Sequence, residues 1–340
     1  MRAIIYTQTG EPDVLKLVER SEPTPAEGEV LVRVAVSGVN PTDWKSRRGS
    51  APGRPPAFPE MVPNQDGAGT VVAVGAGVDP DRVGQRVWLW EVAWRRADGT
   101  AQELVALPAS HAVPLPDGAS FDLGASLGIP ALTAHRCLTV GEDGPDTLEP
   151  GALQGRTVLV AGGAGAVGHA AIELAVWSGA TVITTVSSPE KAALASAAGT
   201  HHVVNYRTQD VAEAIRALAP EGVDVIVEVA PVANAELNAD VVADNGVVVI
   251  YAAGAEGLTI DVGRAMRANT AYRFILVYTM PVKAKQQAVN DVVTAVAAGA
   301  LRVGADAGLP LHRFPLERTD EAHAAVEANA VGKVLIDVTQ

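Results

Sequence analysis

Short apolar segments bounded by glycine, proline or aspartate follow one another through the first third of the chain. They are rich in β-branched residues, which favour strands. The clearest examples are Ala3–Tyr6, Val30–Ser37, Thr70–Val74 and Arg86–Leu89. No helical period is sustained here, so we predict a mostly β domain over residues 1–123.

The pattern changes near Phe121, and beyond it apolar runs alternate with segments of helical spacing, such as Pro189–Ala198 and Val211–Leu218. The runs that predict strands are Thr157–Ala161, Thr181–Val186, His202–Asn205, Val223–Val229 and Val247–Tyr251. Strands that are apolar at every position are buried on both faces, as in a parallel sheet covered by helices. We therefore predict an α/β fold in which residues 124–300 form a doubly wound parallel-sheet domain.

Further segments follow towards the C-terminus. The run Phe274–Tyr278 either extends the sheet or forms an edge that pairs with another subunit, and the pattern permits both. Val282–Ala298 has helical spacing. A charged helix over Glu317–Asn329 and a strand over Lys333–Val338 are predicted after it.

Composition and charge restrict the classes of partner. The chain has 340 residues, enough for two cores, and its 26 Lys and Arg against 39 Asp and Glu give a net charge of −13. A field of that sign repels nucleic-acid phosphates, so we expect no nucleic-acid partner, although a local basic pocket for a phosphorylated cofactor is compatible with it. No apolar run reaches about 18 residues and no signal segment opens the chain, so we expect a cytoplasmic protein without a membrane span.

A glycine-rich segment joins the run Thr157–Ala161 to a helical segment, His169–Ser178. Its spacing, Gly163-x-Gly165-x-x-Gly168, matches the dinucleotide-binding fingerprint, and Gly162-x-x-Gly165-x-x-Gly168 matches a close variant. The glycines permit a sharp turn, close approach of a pyrophosphate and tight packing of helix on strand, while the helix N-terminus supplies N–H donors. We predict a bound dinucleotide; the alternative is a purely structural turn.

The end of the second predicted strand indicates which dinucleotide binds. NAD-binding versions of the motif place an acidic residue there to bind the ribose 2′-hydroxyl. This strand instead leads into Ser187-Ser188-Pro189-Glu190-Lys191, where hydroxyls and a lysine suit a 2′-phosphate, so we predict NADPH. In the alternative interpretation, Ser188 caps a helix that begins at Pro189, and Lys191 is only a solvated helix residue.

Several motifs in sequence order resemble those of zinc-independent quinone oxidoreductases, the ζ-crystallin-like branch of the medium-chain dehydrogenase/reductase superfamily. Besides the glycine motif they are Gly10-Glu11-Pro12-Asp13-Val14-Leu15, Gly28-Glu29-Val30, Val39-Asn40-Pro41-x-Asp43, Gln65-Asp66-Gly67-Ala68-Gly69, Gly84-x-Arg86-Val87, Pro130-Ala131-Leu132-Thr133-Ala134, Asn205-Tyr206 and Gly332-Lys333-Val334. The resemblance implies a GroES-like catalytic domain over residues 1–123, completed by 301–340, and a Rossmann domain over 124–300. It also implies a homodimer, and a cleft between the domains for nicotinamide and substrate.

The resemblance also implies roles for individual residues. Asn40 and Thr133 would lie beside the nicotinamide, and Lys333 would face the cofactor. The residues that would hold the rest of NADPH are Gly163, Gly165, Ala166, Val167 and Gly168 at the pyrophosphate, and Ser187, Lys191 and Tyr206 at the adenosine and its 2′-phosphate. For Tyr206, an ordinary aromatic residue at a strand end is the alternative.

No metal site is expected. Related zinc enzymes carry a cysteine where this chain has Val39-Asn40 and a four-cysteine structural lobe, whereas Cys137 is the only cysteine here and the seven histidines are scattered. Reduction of an electrophilic quinone or enone does not require a Lewis acid, whereas alcohol oxidation of the zinc type does.

The source of the proton stays open at this point. Many members of the branch have a tyrosine two residues after the aspartate of the Asn-x-x-Asp motif, but Lys45 stands there in this chain. Three roles are open for Lys45: it could donate a proton, it could orient the substrate, or it could be an ordinary solvated lysine. Asp43 is a second catalytic candidate or a turn residue, and Gln65 and Asp66 either line the pocket or pack locally.

The predicted function is hydride transfer from NADPH to a small quinone or similar conjugated carbonyl. The alternatives are an enoyl or alkenal double-bond reductase of the same superfamily, and a non-catalytic NADPH-binding protein. RNA binding has precedent in the family but conflicts with the net charge of −13.

Overall fold

The computed structural model describes residues 1–254 and 256–339. It divides into two compact units, which are treated separately below. Unit 1 comprises Met1–Ile129 and the chain from Leu311 onward, and unit 2 comprises Pro130–Pro310. The first junction lies six residues beyond the boundary predicted after residue 123, and the second lies ten residues beyond the one predicted after residue 300.

Unit 1 is built mainly from strands, as predicted. The strands of the whole chain are β1 (Arg2–Ile5), β2 (Lys16–Glu19), β3 (Glu29–Val39), β4 (Asp66–Val74), β5 (Arg86–Leu89), β6 (Leu104–Pro108), β7 (Ala112–Pro114), β8 (Thr157–Ala161), β9 (Thr181–Val186), β10 (His202–Asn205), β11 (Val223–Glu228), β12 (Val242–Ile250), β13 (Ala271–Phe274), β14 (Leu311–Pro315) and β15 (Lys333–Asp337). Six of these, β5, β8, β9, β10, β11 and β15, begin at the predicted residue, and the first four also end there.

Helices cover the parallel sheet of unit 2 and also occur in unit 1. They are α1 (Pro41–Arg48), α2 (Phe121–Thr139), α3 (Ala166–Trp177), α4 (Pro189–Ala197), α5 (Val211–Leu218), α6 (Ala235–Val241), α7 (Val262–Arg267), α8 (Val282–Ala297) and α9 (Thr319–Glu327). In the part of the chain that the structure describes, none of them is both long enough and apolar enough to cross a membrane.

The long strand β3 organises unit 1, since it pairs antiparallel with β4, β6 and β15. Its last residues pair with the first residues of two other strands: Gly38 lies opposite Asp66, and Val39 lies opposite Val334. One end of the sheet therefore brings together the residue after β3, the first residue of β4 and the first residue of β15, although they are far apart in sequence.

The sequence reasoning did not predict the helix α1 within the mostly β region 1–123. This helix contains one apolar residue, Trp44, so its spacing carries no hydrophobic period, and its buried side chains are those of Asp43 and Arg47. Its start is set by a capping box, in which Asp43 Oδ2 accepts the backbone N–H of Asn40, and by Pro41 at the first helical position.

Unit 2 contains a six-stranded parallel sheet in the order β10-β9-β8-β11-β12-β13. This order reverses between β8 and β11, which is the arrangement of a doubly wound dinucleotide-binding sheet. The glycine segment leaves the carboxyl end of β8 at this reversal and leads into α3, which begins at Ala166, three residues before the predicted His169.

The predicted strand Phe274–Tyr278 is misplaced. The strand in the structure is β13, which pairs parallel with β12 and forms the edge of the sheet, while Val277–Thr279 forms a short 3-10 turn. The apolar run reflects burial of this turn: Val277 and Tyr278 are buried, whereas Phe274 is 67% exposed.

Candidate functional site

The glycine segment after β8 turns sharply and opens α3. Gly162 has φ of +72°, in the left-handed region that favours glycine, and its N–H donates to the Thr185 carbonyl of β9 at 3.1 Å. The His169 N–H donates to the Gly165 carbonyl at 2.7 Å, which is the first bond of the helix. The N–H groups of the preceding turn, on Ala166, Val167 and Gly168, therefore have no intrahelical acceptor.

Two of the fingerprint glycines are required by the packing of the chain itself. A Cβ on Gly163 would lie 2.2 Å from Oγ1 of Thr184, and a Cβ on Gly168 would lie 2.4 Å from the carbonyl oxygen of Gly162. Both separations are far inside van der Waals contact, so these positions need glycine even when nothing is bound.

Gly165 has no comparable internal reason to be glycine. Its φ of −85° is open to any residue, and a Cβ there would have only the Gly162 carbonyl oxygen within 4 Å, at 3.5 Å. It is exposed and stands as the N-cap of α3 without a side chain to cap the helix. This open space before free N–H groups and the positive end of the helix dipole fits the pyrophosphate of a dinucleotide.

The predicted adenosine residues lie at the same carboxyl edge of the sheet. Asn205 of β10 lies beside Val186 of β9, and the Tyr206 N–H donates to the Val186 carbonyl at 3.0 Å. This pairing brings Tyr206, which is 51% exposed, next to the chain that continues from Val186 into Ser187.

The helix cap at α4 does not use the groups predicted to bind phosphate. The Ser188 hydroxyl accepts the Lys191 backbone N–H at 3.3 Å, so Ser188 is the N-cap, as the alternative interpretation expected. This bond leaves the Ser187 hydroxyl and the Lys191 ammonium outside the cap. The cap is therefore compatible with phosphate binding by Ser187 and Lys191, and that binding stays a prediction.

Unit 1 contains a buried cluster of polar side chains, which we call the acid–lysine cluster: Asn40, Asp43, Asp66 and Lys333. The Asn40 side chain joins it, because Nδ2 donates to Asp66 Oδ2 at 2.7 Å and Oδ1 accepts from Lys333 Nζ at 2.7 Å. Lys333 Nζ also lies 3.9 Å from Asp66 Oδ2, and all four side chains are at most 3% exposed.

Burial perturbs the ionisation of this cluster. Burial, reinforced by the negative charge of Asp66, raises the pKa of Asp43 to about 8, against the opposing effects of the Asn40 and Gln65 N–H groups and of Lys333. Burial also raises the pKa of Asp66 to about 6, with Lys333 opposing, and lowers the pKa of Lys333. Asp43 is therefore largely neutral at pH 7.

A cavity of about 420 Å³ lies in unit 1, and Asp43 is one of its walls. Its other lining residues are about half aromatic or apolar and about half polar, with three arginines among the polar ones. They include Tyr6, Phe58, Met61, Trp94, Gln65 and Arg54. This mixture suits a small, flat, conjugated molecule with a polar end.

The remaining predicted residues lie as follows. Lys45 is on the exposed side of α1, with Nζ 5.7 Å from the ring centre of Trp44, and it is not among the residues that line the cavity. Thr133 is buried in α2 and belongs to unit 2. The contacts of the Lys333 ammonium are to Asn40, Val39 and Asp66. The catalytic role of Lys45, the place of Thr133 beside the nicotinamide and a contact between Lys333 and a cofactor stay predictions.

The sequence reasoning missed two features of these sites. Glu228, the last residue of β11, is fully buried and accepts bonds from the side-chain amides of Asn234 and Asn238. An acidic residue at the carboxyl end of the strand, directly after the apolar run Val225–Val227, was the available signal. The cavity residues Arg54 and Phe58 lie in a proline-rich loop whose sequence shows no periodicity.

The described residues contain no candidate metal site. Within residues 1–254 and 256–339, no three or more His, Cys, Asp or Glu side chains are grouped so that they would hold a metal ion.

Comparison with known proteins assigns the family. The family model for the alcohol dehydrogenase GroES-like domain matches residues 26–117, and that for zinc-binding dehydrogenase matches residues 166–298. Quinone oxidoreductase from Pongo abelii is 31% identical, covering 99% of this chain and 97% of the relative. Escherichia coli quinone oxidoreductase complexed with NADPH is 26% identical with a TM-score of 0.81, covering 99% of this chain and 100% of that chain.

A further solved structure, an NAD-dependent alcohol dehydrogenase, has a TM-score of 0.85 at 27% identity, and 100% of both chains is covered. These likenesses confirm the predicted α/β fold, with a GroES-like domain and a Rossmann domain. Because sequence and fold agree over nearly the whole length, the chain belongs to the quinone oxidoreductase branch of the medium-chain dehydrogenase/reductase superfamily.

Proposed function

We propose that this oxidoreductase uses NADPH to reduce a quinone or similar conjugated carbonyl, without zinc. The observation that carries the proposal is Gly165, where the chain leaves open space before unbonded helix N–H groups although its own packing does not require it. A pyrophosphate explains that space, and relatives of nearly the same length are named quinone oxidoreductases.

In this proposal the chain's own residues bind and orient the reactants. The N–H groups of Ala166 and Val167 hold the pyrophosphate, and Ser187, Lys191 and Tyr206 hold the adenosine end with its 2′-phosphate. NADPH, when bound, supplies a hydride from its nicotinamide. The cavity beside Asp43, which Tyr6, Phe58 and Trp94 help to line, holds the acceptor.

The choice of NADPH rests on the end of β9. Similar solved structures include both an NADPH complex and an NAD-dependent enzyme, so their names support a nicotinamide cofactor in general. Val186 is followed by Ser187 and Ser188, whereas a carboxylate at this point would repel a 2′-phosphate.

Consumption of NADPH against a panel of quinones, enones and alkenals tests the function, with NADH as the control cofactor. Turnover on quinones supports the proposal, and turnover on alkenals or enoyl compounds alone supports the double-bond reductase instead. Tight NADPH binding without turnover on any acceptor contradicts the enzymatic function.

Lys191→Ala is expected to raise the dissociation constant for NADPH about 10-fold or more, because a charge-assisted bond to phosphate is lost. The affinity for NADH, which lacks the 2′-phosphate, should stay the same. Fluorescence titration of each cofactor measures both, and Lys283→Ala, which removes an exposed lysine of α8, is the control. Equal loss of NADPH and NADH affinity would show that Lys191 does not contact the 2′-phosphate.

We also propose that the chain forms a homodimer through β13. This strand is the edge of the unit 2 sheet, and near it Phe274, Leu276 and Val282 are 67%, 48% and 83% exposed. An exposed edge strand with apolar neighbours is a template for pairing with a second copy.

Phe274→Asp should therefore convert the dimer into a monomer, because a charge would be buried in the interface. Sedimentation velocity measures the change. Leu218→Asp, at a 40% exposed leucine of α5, is the control that should leave the mass unchanged. A wild-type protein that sediments as a monomer would refute the dimer outright.

A further inference from the structure

The cavity of unit 1 has a positively charged wall. Arg54, Arg95 and Arg96 line it, and Asp43 is the one acidic residue among the described residues that do so. The Asp43 carboxyl adds little negative charge, because burial raises its pKa to about 8. In a chain with a net charge of −13, this wall is a local exception that attracts a small anion.

Two of these three arginines are available to a ligand. The Arg96 guanidinium is already engaged, since its Nη2 donates to Glu29 Oε1 at 2.9 Å and to the Ala106 carbonyl at 2.8 Å. Arg54 and Arg95 are exposed, and neither forms an ion pair within residues 1–254 and 256–339. The protein's own described acids therefore do not compensate these two charges.

The backbone at Arg54 is held in place by Thr9. The Arg54 carbonyl accepts the Thr9 N–H at 2.8 Å, and the Arg54 N–H donates to the Thr9 hydroxyl at 3.2 Å. Thr9 is itself buried and also lines the cavity. A side chain that extends from a fixed backbone loses less conformational freedom when it binds a ligand.

Arg95 has a backbone conformation that arginine rarely adopts. Its φ of +57° lies in the left-handed region, as does the φ of +80° of Asn64, which also lines the cavity. Such conformations are costly for residues other than glycine, and they cluster at functional sites. The Arg95 Cζ atom lies 5.5 Å from the ring centre of Trp94, so the charge stands beside an aromatic wall of the cavity.

We infer that the acceptor is an aromatic or quinonoid anion, whose acidic substituent binds Arg54 and Arg95 while its ring lies against Tyr6, Phe58 and Trp94. That the anion is the acceptor rests on the proposed function, whereas its binding involves unit 1 alone. A guanidinium donates two parallel N–H bonds to a carboxylate or sulfonate, which gives specificity as well as affinity. The cavity volume of about 420 Å³ suits one such molecule.

Binding to the full-length protein without cofactor tests the preference for charge. The probes are 2-naphthoate and 2-naphthamide, which share a ring system and differ in charge. In isothermal titration calorimetry, 2-naphthoate should bind about 10-fold more tightly or better, because only its carboxylate pairs with the two arginines. Higher salt should weaken the binding of 2-naphthoate and leave that of 2-naphthamide unchanged.

Single substitutions locate the anion. Arg54→Gln and Arg95→Asn should each weaken 2-naphthoate binding about 5-fold, as expected for loss of one exposed ion pair, and leave 2-naphthamide binding unchanged. Asparagine tolerates the left-handed region better than arginine does, so the melting temperature of Arg95→Asn should not fall. Arg33→Gln, which changes an exposed arginine of β3 outside the cavity lining, is the control that should alter neither affinity.

Turnover with NADPH tests whether the bound anion is the acceptor. The matched substrates are 1,4-naphthoquinone-2-sulfonate and the neutral 1,4-naphthoquinone. The wild type should show a kcat/KM about 10-fold higher for the sulfonate, mainly through a lower KM, because the arginines act on binding. In the double variant with Arg54→Gln and Arg95→Asn this preference should disappear, while kcat/KM for 1,4-naphthoquinone stays the same.

The outcomes separate this inference from the proposed function. Equal affinity of the wild type for 2-naphthoate and 2-naphthamide overturns the anion site, and so does a loss of affinity that Arg33→Gln shares. Equal turnover of the two quinones overturns the anionic acceptor and leaves the proposed function in place. Binding of 2-naphthoate that depends on Arg54 and Arg95, without reduction of either quinone, overturns the proposed function and leaves the anion site in place.

Discussion

Gly168→Ala should lower the free energy of unfolding by about 3 kcal/mol, because the added Cβ has no space. It would lie 2.4 Å from the Gly162 carbonyl oxygen and 2.9 Å from the Gly163 Cα. Both atoms belong to the backbone, so relief requires that α3 move away from the end of β8. Urea unfolding at equilibrium, followed by circular dichroism, measures the loss.

Gly165→Ala is the matched variant from the same segment. It should leave the stability nearly unchanged and weaken the binding of NADPH. Its stability should stay within about 1 kcal/mol of the wild type, the size of a helix-cap substitution. Its dissociation constant for NADPH should rise about 10-fold or more, because the methyl group occupies space that the pyrophosphate needs.

The comparison of these two alanines separates glycine needed for folding from glycine needed for binding. If Gly165→Ala binds NADPH as the wild type does, the open space at Gly165 is not the pyrophosphate site, and the proposed function loses its main support. If Gly168→Ala is as stable as the wild type, α3 packs on β8 more loosely than the structure indicates.

Asn40→Ala should destabilise unit 1 by about 3 kcal/mol, because it leaves two buried charged groups with fewer partners. Lys333 Nζ would lose its acceptor at 2.7 Å, and Asp66 Oδ2 would lose its donor at 2.7 Å. The backbone bond from Asn40 to Asp43 does not depend on the side chain, so the start of α1 should persist.

Urea unfolding measures this change as well, and Asn290→Ala is the control. Asn290 is an exposed asparagine of α8, and its replacement should change stability by no more than about 0.5 kcal/mol. An Asn40→Ala protein that loses turnover but unfolds like the wild type would mean that Asn40 acts on the reactants rather than on the acid–lysine cluster.

Much of the fold was predictable because its signals are local. Glycine and polar residues mark the turns at both ends of each apolar run of the parallel sheet. The strands β8, β9 and β10 were therefore predicted at their observed bounds. The helix α1 was not predicted, because its buried side chains, Asp43 and Arg47, are charged and give no hydrophobic period. Its stability comes from a cap and from tertiary burial.

The sequence by itself determined that a glycine-lined turn joins a buried strand to a helix, since that depends on residue types a few positions apart. Only the tertiary structure decided which glycine is free of internal contacts, because that depends on Thr184 and on the path of the turn. It also decided that Asn40 and Lys333 meet although 293 positions separate them. The raised pKa of Asp43 follows from the same cause: desolvation depends on everything that packs around a side chain, and the order of residues along the chain does not record it.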